Sequence, residues 1–212
     1  MQMYKVFLNQ KPLILTTTIV DNSDETPLIY SKFSNFSIII KALKSKRTKH
    51  VYYYNSDSEK LMKHLTKHFP VFEAAGGMVK NKNKEYLLIF RNGKWDLPKG
   101  HINNNEMIID AGIREVVEET GILNLESKSI LPTTFHFYKR NNQYRIKKTY
   151  WFLMFSSYKG KLKPQFEENI EEAVWKNRSE IIDLMKNMYP NIIFLFNFYF
   201  EKSLTDDGTK TL

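Results

Sequence analysis

Cysteine is absent from the 212 residues. That removes disulfides, thiolate zinc sites and cysteine nucleophiles together, and it fits a reducing, cytoplasmic setting. Long apolar runs are also missing. No stretch approaches the roughly 18 apolar residues of a membrane-spanning helix, and Met1-Gln2-Met3-Tyr4-Lys5 lacks the charged and apolar regions of a secretory signal. The expectation is a soluble, unexported chain with no membrane partner. The most apolar segment, Ile192 to Phe200, is too short to span a bilayer and reads as a packed C-terminal helix. With 42% hydrophobic and 14% aromatic residues the chain is globular and not disordered.

Charge is distributed unevenly. The formal net charge is +9, yet residues 1–70 hold 11 Lys and Arg against 5 Asp and Glu, whereas residues 71–212 hold 21 against 18. The excess in the first third can attract a polyanion. The run from Lys41 to His50 that carries much of it also fits a solvated helix end and loop.

Periodicity divides the chain near Pro70. Before it, Tyr4–Leu8 and Pro12–Thr17 read as a strand hairpin, Phe36–Lys44 as a helix, Val51–Tyr54 as a strand and Ser56–Phe69 as a helix, giving a small ββαβα unit. Ser56 and Glu59 have the spacing of a capping box. His64 and His68, four apart on the last helix, could hold a metal, but no third ligand is near and amphipathic packing accounts for them. After Pro70 come strands at 71–80 and 85–91, with paired glycines (Gly76, Gly77) that admit a close backbone or ligand. A tight turn at Asn92-Gly93 follows. Farther on are two long strands, 130–138 and 144–158, a carboxylate-rich loop with Glu167, Glu168, Glu171 and Glu172, and two helices. Residues 205–212 read as a flexible tail.

The chemically informative stretch is a helix expected from about Asn105 to Thr120. Ile109, Ile113, Val116 and Val117 mark its packed face, which leaves Glu115, Glu118 and Glu119 together at i, i+3 and i+4 on the other. Like charges at that spacing repel. A solvated face is one explanation. The other is a presented cluster of oxygen ligands for a hard divalent ion, Mg2+ or Mn2+, that bridges carboxylates to phosphates and assists attack of water.

Gly100, Glu106, Arg114, Glu115, Val116, Glu118, Glu119, Gly121 and Ile122 meet every fixed position of the signature that this segment resembles, that of the Nudix hydrolases. The resemblance covers about Val71 to Trp175 and leaves the first seventy residues unexplained. Trp95-Asp96-Leu97-Pro98-Lys99-Gly100 resembles, within that family, the enzymes of dinucleoside and diphosphoinositol polyphosphates. What the resemblance implies is an α/β fold, a Nudix-type α/β/α sandwich with a mixed sheet over residues 71–204. It implies metal ligation by Glu115, Glu119, Glu118 and the Gly100 carbonyl, and catalytic parts for Glu118 as base and Arg114 as the group orienting the carboxylates. Glu106 and Gly121 would shape the helix ends. Lys99, with Arg91, is expected to face the phosphates, and the base-stacking residue is sought among Phe135, Phe137, Tyr144 and Tyr150. In the family the later loop sometimes supplies the base or a further ligand, so Glu167, Glu168, Glu171 and Glu172 stay as alternatives to Glu118.

The implied activity is metal-dependent cleavage of a pyrophosphate bond in a nucleoside diphosphate-linked or dinucleoside polyphosphate substrate. Lys99, together with Arg91 and the basic residues Lys139, Arg140, Arg145 and Lys147, favours the longer phosphate chain. The alternative is a Nudix-fold sensor or nucleic-acid-binding protein. It is the weaker reading, because the first third shows no nucleic-acid motif and no winged-helix pattern follows. A third reading makes residues 1–70 a homodimer contact.

Overall fold

The computed structural model describes residues 4–208. The chain divides into two units, one taking the residues up to 72 together with 135–148, the other 73–134 and the residues from 149 on. This differs from a single boundary at residue 70: the turn-bearing ends of two long strands belong with the N-terminal unit.

In that first unit, β1 (Lys5–Leu8) and β2 (Lys11–Thr16) form the expected hairpin, with Asn9 at φ 53° in its turn. A strand absent from the sequence reading follows, β3 (Leu28–Tyr30), so the order is βββαβα once α1 (Phe36–Lys44), β4 (Val51–Tyr54) and α2 (Ser58–His68) are added. β3 exists because it pairs in parallel with Tyr52–Tyr54 of β4, a partner more than twenty residues away. Asn35 caps α1 by accepting the Ile38 N–H. The cap of α2 is Asp57, whose carboxylate accepts the Glu59 N–H, and not Ser56. Ile39 and Leu43 of α1 and Leu61 and Leu65 of α2 pack with Leu13, Tyr53 and Phe69 into one core. Phe135 and Phe137 are part of it and Tyr144 packs against it. His64 is hydrogen-bonded through Nδ1 to the Ser31 hydroxyl at 3.0 Å, a structural use in place of metal ligation.

The second unit is built on β5 (Val71–Asn81), β6 (Tyr86–Arg91), β7 (Lys94–Asp96), β8 (Lys99–His101), β9 (Leu125–Arg140), β10 (Gln143–Ser156) and β11 (Ile170–Lys176). Strand order is β11-β6-β5-β10-β9, with β7 paired to β6 and β8 to β5. Asn92 and Gly93, at φ 52° and 72°, make the tight turn between β6 and β7. Side-chain alternation decides the layers. Met78, Tyr86, Leu88 and Trp151 pack with Ile181 of α4 (Arg178–Leu184) and Ile192, Leu195 and Phe196 of α5 (Pro190–Gly208). Their neighbours along the strands, Val79, Leu87 and Phe152, pack with Val116 of α3 (Ile108–Thr120). The sheet is therefore buried on both faces, an α/β/α sandwich. Of the tail, residues 205–208 continue α5, and 209–212 lie outside the described residues. Among the described residues no helix is long and apolar enough to cross a membrane.

Candidate active site

Helix α3 starts at Ile108, three residues later than periodicity suggests, because Asn105 takes a left-handed φ of 63° and turns the chain. Glu106 closes that turn: its backbone N–H donates to the Asn103 carbonyl at 3.2 Å, and its carboxylate accepts the Asn103 N–H at 2.9 Å. At the other end Gly121, φ 67°, donates its N–H to the Val117 carbonyl.

Arg114 ties the middle of α3 to the loop before it. Its guanidinium donates to both Glu106 oxygens (2.7 and 2.9 Å), to Glu115 (2.7 Å), to Glu118 (2.9 Å) and to the His101 carbonyl (2.8 Å). A planar fork with fixed donors suits this convergence better than an ammonium would. Arg114 first, and then the Asn103 N–H, hold the Glu106 carboxyl down to about 2. The pairing therefore stabilises the fold above the ordinary value of 4.5 and is lost only as pH falls through about 2.

The three α3 glutamates are not equally presented, which corrects the expectation of one cluster presented on the polar face. Glu115 is 6% exposed and Glu119 fully buried, while the Glu118 side chain is 48% exposed. The reason lies in β8. A Cβ on Gly100 would sit 1.8 Å from a Glu115 oxygen, so the absent side chain is what lets that carboxylate lie against the strand. Glu119 accepts the Lys99 backbone N–H at 2.8 Å and pairs with Arg91 at 3.2 Å. Burial nevertheless dominates: it pushes Glu119 up to about 7 against the pull of Lys99 and Arg91. Glu115 is likewise raised by burial, Arg114 opposing, with Glu118 and Glu168 adding repulsion.

A raised carboxyl contributes stability below 4.5 that is lost as pH rises through about 7. The metal-free wild type should therefore lose about 3 kcal/mol between pH 4.5 and 8 relative to Glu119→Gln, as read from paired denaturant titrations. A pH-independent difference would contradict the burial of that charge.

Lys99 is 7% exposed and its ammonium donates to Asp96 (2.5 Å) and the Leu97 carbonyl (3.3 Å), so its charge is paired inside the fold. Asp96, itself buried, also accepts the Leu97 N–H at 2.8 Å. The pair shapes the turn that brings the Lys99 N–H to Glu119. Sequence reasoning passed over Asp96, although its i, i+3 spacing to Lys99 was a signal.

Arg91 bridges two carboxylates, Glu119 and Glu168, the latter at 3.4 Å. Among the described residues, Glu168 is thereby the one carboxylate of its loop paired into the site. Glu167, Glu171 and Glu172 are exposed. The loop is seated on the end of α3 by the Lys163 N–H to the Thr120 carbonyl (2.7 Å) and the Gln165 N–H to the Glu119 carbonyl (3.2 Å). Phe166, next in line, is 69% exposed and was also passed over. Tyr150 packs its ring against the α3-side core and donates its hydroxyl to Glu73 at 2.7 Å. Phe135 and Phe137 are core residues of the first unit, which takes them out of the search for a stacking residue.

Among the described residues no set of three His, Asp or Glu side chains is already arranged to hold a metal ion. Arg114 and Arg91 hold the carboxylates instead. The donor chemistry still fits a hard cation: the site offers only oxygen ligands, and two of its carboxylates are charged at a cost that a cation would offset.

A family model described as NUDIX domain matches residues 71–195. The chain belongs to the Nudix family. It is 43% identical over 54 residues to Nudix hydrolase 8 of Arabidopsis thaliana, a match covering 22% of this chain and 15% of the plant protein's length. Among solved structures it resembles the MutT protein of Methanosarcina mazei Go1, with a TM-score of 0.51 at 21% identity, covering 64% of this chain and 96% of that one. It also resembles an Ap4A hydrolase of C. elegans, with a TM-score of 0.46 at 21% identity over 62% of this chain and 98% of that one. In this Nudix chain the matched residues span the whole carboxylate site, from Arg91 to Glu168.

Proposed function

We propose that the chain hydrolyses a pyrophosphate bond in a nucleoside diphosphate-linked compound with the help of Mg2+ or Mn2+. The observation that carries this reading is the graded carboxylate face of α3: Glu115 and Glu119 buried and raised, Glu118 half-exposed beside them. Glu115, Glu119, Glu118 and the Gly100 carbonyl would hold the ion, which supplies positive charge to the phosphate oxygens and lowers the pKa of water.

The chain's own residues do the rest. Arg114 fixes Glu115 and Glu118 relative to the loop through Glu106, and Arg91 keeps the Glu168 loop against Glu119. Glu118, the α3 glutamate that reaches solvent, accepts the proton of the attacking water. Glu168 is the competing base, since its side chain is 41% exposed and bonded into the same network. Phe166 offers an exposed aromatic face beside the site for the base of the substrate.

Of the cations that would favour a long phosphate chain, Lys99 is paired with Asp96, Arg145 lies over Phe72 and Lys147 over Tyr138. One pyrophosphate linkage is the better match. The test is a screen with Mg2+ across ADP-ribose, nucleotide sugars, nucleoside triphosphates and dinucleoside polyphosphates. Metal-dependent release of a nucleoside monophosphate from ADP-ribose or a nucleotide sugar is expected. A clear preference for dinucleoside tetraphosphate would reinstate the long chain, and no turnover at all would remove the hydrolase reading.

Gly100→Ala provides a sharper check of the geometry. The added methyl must displace the Glu115 carboxylate, so turnover should fall about 100-fold while stability drops by only about 1–3 kcal/mol. Normal turnover in this variant would show that Glu115 need not lie against β8.

A further inference from the structure

The first unit holds a groove of about 810 Å³ between the loop that follows β2 and the C-terminal end of α1. Its walls are tied together. The Thr48 hydroxyl donates to the Asp24 carbonyl (3.3 Å), the Lys49 N–H to the Glu25 carbonyl (2.8 Å), and the Leu28 N–H to the Asn22 side chain (2.9 Å). The walls of the groove are thus held by the protein's own backbone and side-chain hydrogen bonds. Lys41, Lys46 and Arg47 line it. Asp24 is the one acid among the lining residues, and its 3.4 Å pair with Arg47 joins side chains 80% and 81% exposed, a contact too solvated to hold the guanidinium. Lys41 and Lys46 have no acidic partner within 4 Å among the described residues.

A helix C-terminus ordinarily repels anions. Here Lys11 donates its ammonium to the Ser45 carbonyl, and Lys41 and Lys44 stand in the last turn, so that end is neutralised. Between the cations, Ile38 and Ala42 form an apolar floor, with Ile38 44% exposed. None of the lining side chains is aromatic, which disfavours a stacked nucleic-acid strand. The volume suits a small molecule, since ligand pockets run about 300–1,000 Å³.

We infer that this groove is a second binding site, for a small phosphorylated molecule of nucleoside monophosphate size, its phosphate on Lys41, Lys46 and Arg47 and its flat body on Ile38 and Ala42. The site stands on its own observations and does not require the activity proposed above.

The test is an amide NMR titration of the full chain in EDTA at low ionic strength, with AMP, inorganic phosphate and a short oligouridylate as separate probes. AMP should shift the amides of residues 22–24 and 41–48 in a saturating manner. Phosphate should bind there at least about tenfold more weakly. Lys41→Gln combined with Lys46→Gln, both exposed positions, should lower AMP affinity by about tenfold, or about 1.4 kcal/mol. The same spectra report whether the variant is folded, and binding at the carboxylate site would be read separately on α3 amides. Absent shifts in 41–48, shifts unchanged in the double variant, phosphate binding as tightly as AMP, or binding of oligouridylate without AMP would each overturn the inference.

Discussion

Turnover in Mg2+ is expected to fall by about 100-fold or more in Glu118→Gln and in Glu119→Gln alike, for different reasons that separate measurements can resolve. Glu118 is half-exposed and held by a single guanidinium nitrogen of Arg114. Its replacement should leave unfolding unchanged within about 0.5 kcal/mol and act on kcat. Glu119 is buried, accepts the Lys99 N–H and faces Arg91. A glutamine there can keep the bond to the Lys99 N–H only by turning its amide N–H2 toward the guanidinium, a donor against a donor. That mismatch is worth about 1–3 kcal/mol and is offset above pH 7 by removal of the buried charge. Glu119→Gln should therefore be the less stable protein at pH 5 and close to wild type at pH 8. Steady-state kinetics with thermal unfolding at both pH values checks the pair. Wild-type turnover in both variants would end the proposed mechanism.

The second large effect concerns Lys99. If its ammonium faced a phosphate, Lys99→Met would yield a well-folded protein with reduced kcat/KM. The buried pairing with Asp96 leads to a different expectation: losing one partner of a buried ion pair costs about 3–5 kcal/mol, because Asp96 is left charged and unpaired. Denaturant titration should show that loss in Lys99→Met and a partial recovery when Asp96→Asn is added. Recovery is incomplete because, although the amide oxygen can still accept the Leu97 N–H, the Leu97 carbonyl has lost the ammonium that donated to it and the amide N–H2 is buried without an acceptor. A stable Lys99→Met protein with selectively damaged kinetics would put the lysine back at the substrate.

Much of the architecture was legible because it rests on local patterns. The limits of α1 and β4 follow from their apolar runs, and the Asn92-Gly93 turn follows from residues that tolerate positive φ. The position of the carboxylates on one face of α3 was equally legible from spacing alone. Their burial was not, since it depends on β8 approaching α3 at Gly100, a tertiary contact without periodicity. Lys99 shows the same limit. Its place in the motif is visible in sequence, but whether an ammonium points outward or toward Asp96 is decided by the turn between β7 and β8. β3 escaped notice because three residues paired in parallel carry no alternation to read. At α2 the cap expected at Ser56 moves to Asp57, because the helix starts at Ser58.

Hydrolysis in 18O-labelled water tests the central claim most directly: water attacks phosphorus at the α3 carboxylates. A nucleoside diphosphate-linked substrate turned over with Mg2+ should release a phosphorylated product carrying one 18O, with no release in EDTA and at least about 100-fold less in Glu118→Gln. Release that persists in EDTA, or product phosphate free of label, would contradict it.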